Sequence, residues 1–302
     1  MTASGARRSD TETGMILMAV AMLALPCIDA IAKHVGQNLP AAEIALARFV
    51  VQSLVLLPLA RRADLLRMLP EWPAHAARGA LIAGATMFFF TALQSLPIAD
   101  AIAIFFVEPL LLTLLSALLL GEKIGWRRIS AVAVGFAGAL LIIRPSFEVV
   151  GWPALLPVGA ALCFALYLVL TRGLSRAASP ITMQVTAGLS GGVTAGAALL
   201  VGGLTGAVPP VFVPVVPSLA ELGWLAALGC IATAGHLLVV NAFRRADAGI
   251  LAPFQYLEII SATALGLLIF GDFPDAITWI GIAVIVGSGL YVFYRERKLA
   301  SV

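Results

Sequence analysis

The sequence predicts an all-α polytopic membrane protein with ten transmembrane helices in two five-helix repeats of inverted topology. Of its 302 residues, 61% are apolar and only 12% are charged, which is about half the charged fraction of a soluble domain. The apolar residues fall into runs long enough to cross a bilayer. In addition, the two halves of the chain resemble each other weakly.

The composition excludes most other classes of protein. A mean hydropathy of +1.03 is incompatible with a pair of soluble domains, a coiled coil or a disordered chain. The net charge of +3 gives no basis for binding nucleic acid. The three cysteines, Cys27, Cys163 and Cys230, each lie inside an apolar run. We expect them to be small buried apolar residues, because this spacing fits neither a disulfide framework nor a zinc site.

The ten predicted helices follow from run length. A helix needs about 20 apolar residues to cross about 30 Å of hydrocarbon. The first run is too long, and its flank too acidic at Asp10 and Glu12, for a cleaved signal peptide, so we expect the chain to keep its N-terminus. The runs lie at 14–34, 41–60, 77–96, 98–120, 128–144, 153–172, 180–203, 219–243, 247–270 and 276–294.

The distribution of Lys and Arg predicts the orientation. If both termini are cytoplasmic, sixteen of the nineteen basic residues lie on the cytoplasmic side. Only Lys33 and Arg144 lie outside, and Arg48 lies within the second helix. A bias of this size follows the positive-inside rule. It predicts a multi-pass protein of a bacterial-type inner (plasma) membrane.

A weak internal repeat predicts two domains. Residues 106–122 align with 256–272 at a shift of 150, which pairs Glu108 with Glu258 and Gly121 with Gly271. Five helices per repeat is an odd number, so the second copy must be inverted relative to the first. Inverted repeats are typical of transporters, whose substrate site lies at the repeat interface. We therefore expect a cytoplasmic tail at 1–13, repeats at 14–145 and 146–294, and a second cytoplasmic tail at 295–302.

Two acids at membrane depth are the first candidates for a substrate site. Charged groups at the bilayer centre cost at least about 2.5–3.5 kcal/mol each, so they are functional candidates by default. We expect Glu108 and Glu258 to line a central cavity and to bind a substrate amine or a proton. Gln255 shares a helical face with Glu258. The alternative is that each acid caps a helix break or forms a hydrogen bond within the bundle.

Prolines predict where such breaks occur. Pro109 frees the carbonyl of Phe105 from helical hydrogen bonding, and Pro253 frees that of Gly249. Freed carbonyls at membrane depth are tolerated where the backbone is buried in protein or lines a cavity. Pro26 predicts a further bend in the first helix.

Further polar and aromatic residues extend the candidate site. Arg48 is suited to receive a substrate carboxylate, or acts as a structural clamp with Glu43 or an acid on another helix. Asp29 and Lys33 are four residues apart, and we expect them to form a structural ion pair. The remaining candidates are Tyr167 and His236, which offer polar groups in an apolar cavity, and Phe88, from the cluster Phe88–Phe90 on the third helix.

Two alternatives belong to other functional classes. Gly188-Leu189-Ser190-Gly191 matches the GxSG of rhomboid-type intramembrane proteases, and Ser190 with His236 would then be its catalytic dyad. However, Gly188, Gly192 and Gly196 also form the small-xxx-small pattern of close helix packing. A channel would require rings of like charge or exposed carbonyls, whereas the intramembrane ionisable residues here are few and of mixed sign.

The segment LPIADAIAIFFVEPLLLTLLSALLLGEKIGWRRISAVAVGFAGALLIIRP, residues 96–145, resembles the EamA-type module of the drug/metabolite transporter superfamily. A degraded second copy runs from Ala246 through Gly271-Asp272. The resemblance implies two inverted five-helix halves and alternating access, with an architecture similar to the YddG-type amino-acid exporters. The S-adenosylmethionine uptake branch shares the Arg48-Phe49 and Gly121-Glu122 features.

The sequence thus predicts a secondary transporter, because it contains no GxxxxGK[ST] loop for ATP. We expect small amphipathic metabolites, with amino acids and related compounds preferred and export favoured. Uptake of a nucleoside-type metabolite such as S-adenosylmethionine is the alternative. We expect no cofactor, no metal and no nucleic acid. The expected partners are the small-molecule substrate, the lipid bilayer and a proton as candidate coupling ion, in a monomer or weak homodimer.

Overall fold

A computed structural model describes residues 3–67, 69–120, 125–174, 179–205, 212–246 and 248–300, and over these ranges the chain is helical and contains no strand. The prediction of an all-α fold is therefore confirmed. The helices are α1 (Ala3–Ala24), α2 (Pro26–Val35), α3 (Ala41–Leu56), α4 (Arg62–Arg67), α5 (Trp72–Leu93), α6 (Ile98–Phe105), α7 (Glu108–Leu120), α8 (Trp126–Val150), α9 (Leu156–Leu174), α10 (Pro180–Thr205), α11 (Leu219–Phe243), α12 (Ala248–Gln255), α13 (Leu257–Leu265) and α14 (Ala276–Ala300).

The helices have the length and composition of membrane spans. Within the described ranges, nine helical stretches are long and apolar enough to cross a bilayer, and the apolar stretch Ala276–Val292 of α14 is shorter. The protein is therefore a multi-pass membrane protein, and the count of ten remains a prediction. Some ends differ from the expected runs. For example, α8 continues past Pro145 to Val150, where Arg144 and Glu148 are exposed and pair at 3.5 Å.

Three of the predicted spans are interrupted. The first span breaks at Leu25, immediately before Pro26, as predicted. The fourth breaks at Phe106–Val107, just before Pro109. In the ninth, Pro253 lies inside α12 and the chain breaks at Tyr256. The last two breaks occupy matched positions, because a shift of 150 pairs Phe106 with Tyr256.

The packing of the helices is compatible with two inverted repeats. Helix α8 packs along α14, and α3 packs along α10, so equivalent helices of the two halves meet. Helix α1 packs on α11 just as α9 packs on α5. The rings of Phe106 and Tyr256, which the repeat alignment pairs, contact each other with centroids 5.3 Å apart. Of the residues on which the alignment rests, Gly121, Glu122 and Asp247 lie outside the described ranges.

Close approach of α8 and α14 depends on glycine. A Cβ atom at Gly138 would lie 3.1 Å from the Gly281 carbonyl oxygen and 2.8 Å from Val284 Cγ1. The two helices therefore contact each other through backbone atoms, which is a common arrangement in membrane bundles.

One end of the bundle is tied by polar contacts, and we call it the Lys33 end. Lys33 Nζ donates to Asp272 Oδ2 at 2.6 Å and to the Leu96 carbonyl at 3.0 Å. These contacts join α2 to the loops that precede α6 and α14. The predicted pair between Asp29 and Lys33 is wrong. Lys33 lies near the end of α2, where its side chain reaches these loops, whereas Asp29 lies one turn deeper in the bundle.

The opposite end contains a fully buried arginine, and we call it the Arg78 end. Arg78 is 1% exposed. Its guanidinium donates to Thr171 Oγ1 at 2.9 Å, to the Met183 carbonyl at 2.9 Å and to the Tyr167 hydroxyl at 3.3 Å. These bonds hold α5, α9 and α10 together. Many such bonds are needed, because a buried charge is costly unless it is well hydrogen-bonded.

The cysteines are free thiols, but one departs from the expectation. Cys27 and Cys163 are half-buried, whereas Cys230 is exposed on α11. The expected burial of Cys230 is therefore wrong, because the apolar face that carries it is turned away from the bundle.

Candidate functional site

A cavity of about 280 Å³ lies at the centre of the bundle, where α6 meets α7 and α12 meets α13. Its walls combine ionisable side chains with aromatic rings. The polar lining residues are Asp29, Arg48, Thr86, Glu108, His236, Gln255 and Glu258, and the aromatic ones are Phe89, Phe90, Phe105, Phe106 and Phe164.

The helix breaks position the two glutamates in this wall. Glu108 is the first residue of α7, and Glu258 is the second residue of α13. Both carboxylates thus lie in the first turn of a half-helix, where the helix dipole stabilises negative charge. The two readings of these acids are therefore compatible, since each residue starts a helix after a break and also lines the cavity.

Arg48 projects into the same cavity from α3. Its Nη1 donates to Thr86 Oγ1 at 2.5 Å, and its guanidinium lies 5.2 Å from the Phe49 ring. The suggested partner Glu43 is not used, because its Oε2 accepts from the Val215 amide at 3.0 Å. Thr86 is itself fixed by donating to the Ile82 carbonyl at 2.8 Å. Arg48 is therefore hydrogen-bonded to a neutral hydroxyl, and Asp29 is a cavity acid that interacts with its positive charge.

His236 lines the cavity from α11. Its Nδ1 lies 2.7 Å from the Ala232 carbonyl oxygen. A carbonyl accepts a hydrogen bond, so we assign the proton to Nδ1. In the neutral ring, Nε2 is then the free acceptor.

A smaller chamber of about 160 Å³ adjoins the central cavity. Arg48 and His236 line both spaces. Tyr167 lies in the wall of this side chamber and not in that of the central cavity. Its hydroxyl is 3.3 Å from Arg78 Nη2. The other polar residues of the side chamber are Gln52 and Gln184.

Five of the seven predicted site residues therefore line the central cavity: Arg48, Glu108, His236, Gln255 and Glu258. Tyr167 lines the adjoining chamber. Phe88 does not belong to this group, because its side chain is 41% exposed and its ring faces Gly159. Its neighbours Phe89 and Phe90 line the cavity instead.

Asp29 also lines the central cavity, although its spacing to Lys33 predicts a structural ion pair. It is 8% exposed and is close enough to Glu258 and Arg48 to interact with both electrostatically. In the sequence, Asp29 lies one helical turn from Lys33. This spacing fits a simple ion pair as well as an acid in a cavity wall. Asp100 lies on α6 towards the Lys33 end, where its buried Oδ1 has no hydrogen-bond partner among the described residues.

The protease alternative finds no support in the geometry. The Ser190 hydroxyl donates to the carbonyls of Thr186, at 2.5 Å, and His75, at 3.1 Å, and His236 is bonded to Ala232. The dyad is thus not formed. The nearby glycines serve close packing of α10 on α3, since Cβ atoms at Gly188 and Gly192 would contact Ser53 and Phe49, respectively.

Comparison with known proteins decides the family. The sequence profile of the EamA-like transporter family matches residues 12–144 and again residues 151–294. The chain belongs to the EamA-like transporter family. This EamA protein is thus a transporter and not an enzyme, it acts on small molecules, and its setting is a membrane.

Curated relatives of this EamA protein are named for several substrates. It is 30% identical to a riboflavin transporter of Vibrio cholerae, with 94% of each chain covered. It is 29% identical to an S-adenosylmethionine uptake transporter of Rickettsia bellii, with 90% of each chain covered. It is also 29% identical to a pseudopaline exporter of Pseudomonas aeruginosa, over 91% of this chain and 94% of the relative.

A solved crystal structure shares the fold. It matches with a TM-score of 0.61 at 24% identity, over 95% of this chain and 99% of the other. The relatives that are named for their substrates include both uptake carriers and an exporter, so family membership fixes neither substrate nor direction.

Proposed function

We propose that this EamA protein is a secondary transporter for a small zwitterionic metabolite with a large apolar or aromatic part, bound in the central cavity. Amino acids and related compounds are the preferred class, and S-adenosylmethionine-type metabolites are the alternative. The observation that carries the proposal is the joint placement of Glu108 and Glu258 at matched helix breaks in the wall of one cavity.

The charges of the wall support a zwitterion. Three carboxylates, from Asp29, Glu108 and Glu258, share the described part of the cavity with one guanidinium, from Arg48. An ammonium or other cationic group is attracted to the acids, and a carboxylate is attracted to Arg48. The phenylalanine rings provide apolar surface for the rest of the molecule and also attract cations.

The contacts at the two ends support alternating access. The Lys33–Asp272 pair ties the Lys33 end, where α6 also packs on α13. Towards the Arg78 end the other two half-helices of these spans diverge, since α7 packs on α9 and α12 packs on α1 and α14. We infer a state that is closed at the Lys33 end and opens between α7 and α12. The basic residues predict that this opening faces the cytoplasm.

The sequence contains no GxxxxGK[ST] motif for ATP, so we expect a gradient of substrate or ion to drive transport. A proton is the candidate coupling ion, with the cavity acids as its binding sites. Export is the direction that the resemblance to amino-acid exporters favours. Monomer or weak homodimer remains our expectation for the assembly.

The test is transport by purified protein in proteoliposomes, with a panel of amino acids, S-adenosylmethionine and riboflavin loaded on either side, with and without a proton gradient. We expect Glu108→Gln and Glu258→Gln each to lower transport at least tenfold. Glu148→Gln is the matched control, because its side chain is 69% exposed at the end of α8. Wild-type-like transport in both cavity variants would contradict the proposal.

A further inference from the structure

The side chamber contains two amide side chains, Gln52 and Gln184, which are hydrogen-bonded to each other. Gln52 Nε2 donates to the Gln184 carbonyl at 2.9 Å and to Gln184 Oε1 at 3.2 Å. The Gln52 amide must therefore point its nitrogen at Gln184, because a carbonyl oxygen accepts hydrogen bonds and cannot donate them. Among the described residues, Gln184 Nε2 has no hydrogen-bond partner. The chamber therefore presents an amide donor from Gln184 beside the acceptor oxygen of Gln52.

The side chamber lies next to the central cavity. Arg48, His236, Ile82 and Phe164 line both spaces, so the two spaces are neighbours that share these four side chains. The volume of about 160 Å³ corresponds to about five waters at roughly 30 Å³ each. That is room for a short chain of several non-hydrogen atoms.

The two spaces differ in chemistry. Five phenylalanine rings line the central cavity, and such surfaces bind planar rings by stacking and edge contacts. The side chamber combines two amides with the Tyr167 side chain. Paired donors and acceptors of this kind match hydroxyl and amide groups, which both donate and accept.

We propose that the side chamber is the second half of a two-part substrate site, in which the central cavity holds a planar ring and the side chamber holds a hydroxyl- or amide-bearing chain attached to it. This inference rests on the proposed transport function and narrows its substrate class. Gln184 is the specificity-determining residue, because its unused amide hydrogens face the chain. Arg48 and His236 lie where ring and chain join.

The test compares ring-only and ring-plus-chain probes on the same variants. Lumichrome and riboflavin share a tricyclic ring, but only riboflavin carries a polyol chain. Adenine and S-adenosylmethionine share a purine, but only the second carries a polar chain. Binding to the full-length protein in detergent is measured by calorimetry. We expect Gln184→Leu to weaken a chain-bearing probe roughly tenfold and its ring-only partner less than twofold, as for loss of one or two hydrogen bonds.

Two further variants test whether the loss is specific to the Gln184 amide. Gln184→Glu keeps the size and an acceptor but removes the amide donor, so it should show the same selective loss even if Gln184→Leu folds poorly. Gln94→Leu makes the same chemical change outside both chambers, where Gln94 Nε2 lies 3.4 Å from the Leu39 carbonyl. It should leave all four affinities unchanged.

The inference is overturned if Gln184→Leu and Gln184→Glu weaken ring-only and chain-bearing probes equally or not at all, as expected for a chamber that holds only water. It is also overturned if the wild-type protein binds neither pair. In that case, transport of amino acids in the proteoliposome panel would still support the proposed function. Failure of the whole panel would instead contradict the proposed function itself.

Discussion

The ion pair between Lys33 and Asp272 should control access to the cavity from the Lys33 end. The side chains are 15% and 32% exposed, and their charged atoms are 2.6 Å apart. Coulomb attraction at about 4 Å in an effective dielectric of 20 is about 4 kcal/mol, whereas exposed pairs contribute about 0–1 kcal/mol. Because both groups keep some contact with water, we expect about 1–2 kcal/mol. Loss of this energy shifts the closed-to-open equilibrium roughly 5- to 30-fold.

The assay measures access to a cysteine on the cavity wall. With Cys27, Cys163 and Cys230 replaced by alanine, Ala85→Cys places a single thiol in the cavity. A membrane-impermeant thiol reagent is then added at the Lys33 end. Asp272→Asn should raise the labelling rate roughly 5- to 30-fold.

Three controls separate the ion pair from general loosening of the fold. Lys33→Met should raise labelling by a similar factor, and adding it to Asp272→Asn should have little further effect, because both remove the same interaction. The exchange Lys33→Asp with Asp272→Lys should restore much of the protection. Glu148→Gln, which disrupts an exposed pair with Arg144, should change labelling less than twofold. Equal labelling of Asp272→Asn and the wild type would refute the reasoning.

Further predictions concern stability and the rejected alternative. Arg78→Met should lower the free energy of unfolding by about 2–4 kcal/mol, because it leaves several buried acceptors unpaired; thermal unfolding in detergent checks this. Gly138→Leu should lower Tm by several degrees, because α8 and α14 leave no room for a side chain at this position. Gly84→Ala should be tolerated, since its Cβ would lie 3.6 Å from Cys163 Sγ, an ordinary contact distance. An unchanged Tm in Gly138→Leu, as in Gly84→Ala, would contradict this packing. Ser190→Ala should change transport less than twofold in the proteoliposome assay, and abolished transport would contradict its packing role.

One prediction concerns pH. The backbone N–H of Thr278 donates to Asp275 Oδ1 at 2.7 Å at the start of α14, and this bond lowers the pKa of Asp275 below its ordinary value. A depressed carboxyl pKa stabilises the folded state above the unfolded-state pKa of about 3.9, and this contribution is lost as pH falls through the folded-state value. Asp275→Asn should therefore narrow the stability difference between pH 6 and pH 3, measured by thermal unfolding. An unchanged difference would contradict it.

Much of the fold could be predicted because hydrophobic run length and periodicity are local properties. The helix break before Pro109 and the bend at Pro26 follow from the missing N–H of proline. The break at Tyr256 could not be placed from Pro253, because that proline is accommodated inside α12. Repeat alignment with Phe106 is the signal that could have located it.

The candidate site was predictable in part for the same reason. An intramembrane acid such as Glu108 or Glu258 is conspicuous in any apolar helix. Pairings between distant segments are not, as Lys33 illustrates, since its partner Asp272 lies 239 residues away. Phe88 lies outside the cavity wall because three consecutive phenylalanines cannot all face one side of a helix, and run length and periodicity do not indicate which of them face inward.

Tyr167 connects two features that are usually separate. On one side its hydroxyl belongs to the buried arrangement around Arg78, and on the other its side chain forms a wall of the side chamber. A change at this position thus alters the shape of the chamber and the hydrogen bonding of a buried guanidinium together. Substitutions at Tyr167, whether natural or selected for a new ligand, should therefore also lower the folding yield. Substitutions at Gln184 should not, because its side chain does not bind the Arg78 guanidinium. Divergence of specificity along this wall should begin at Gln184.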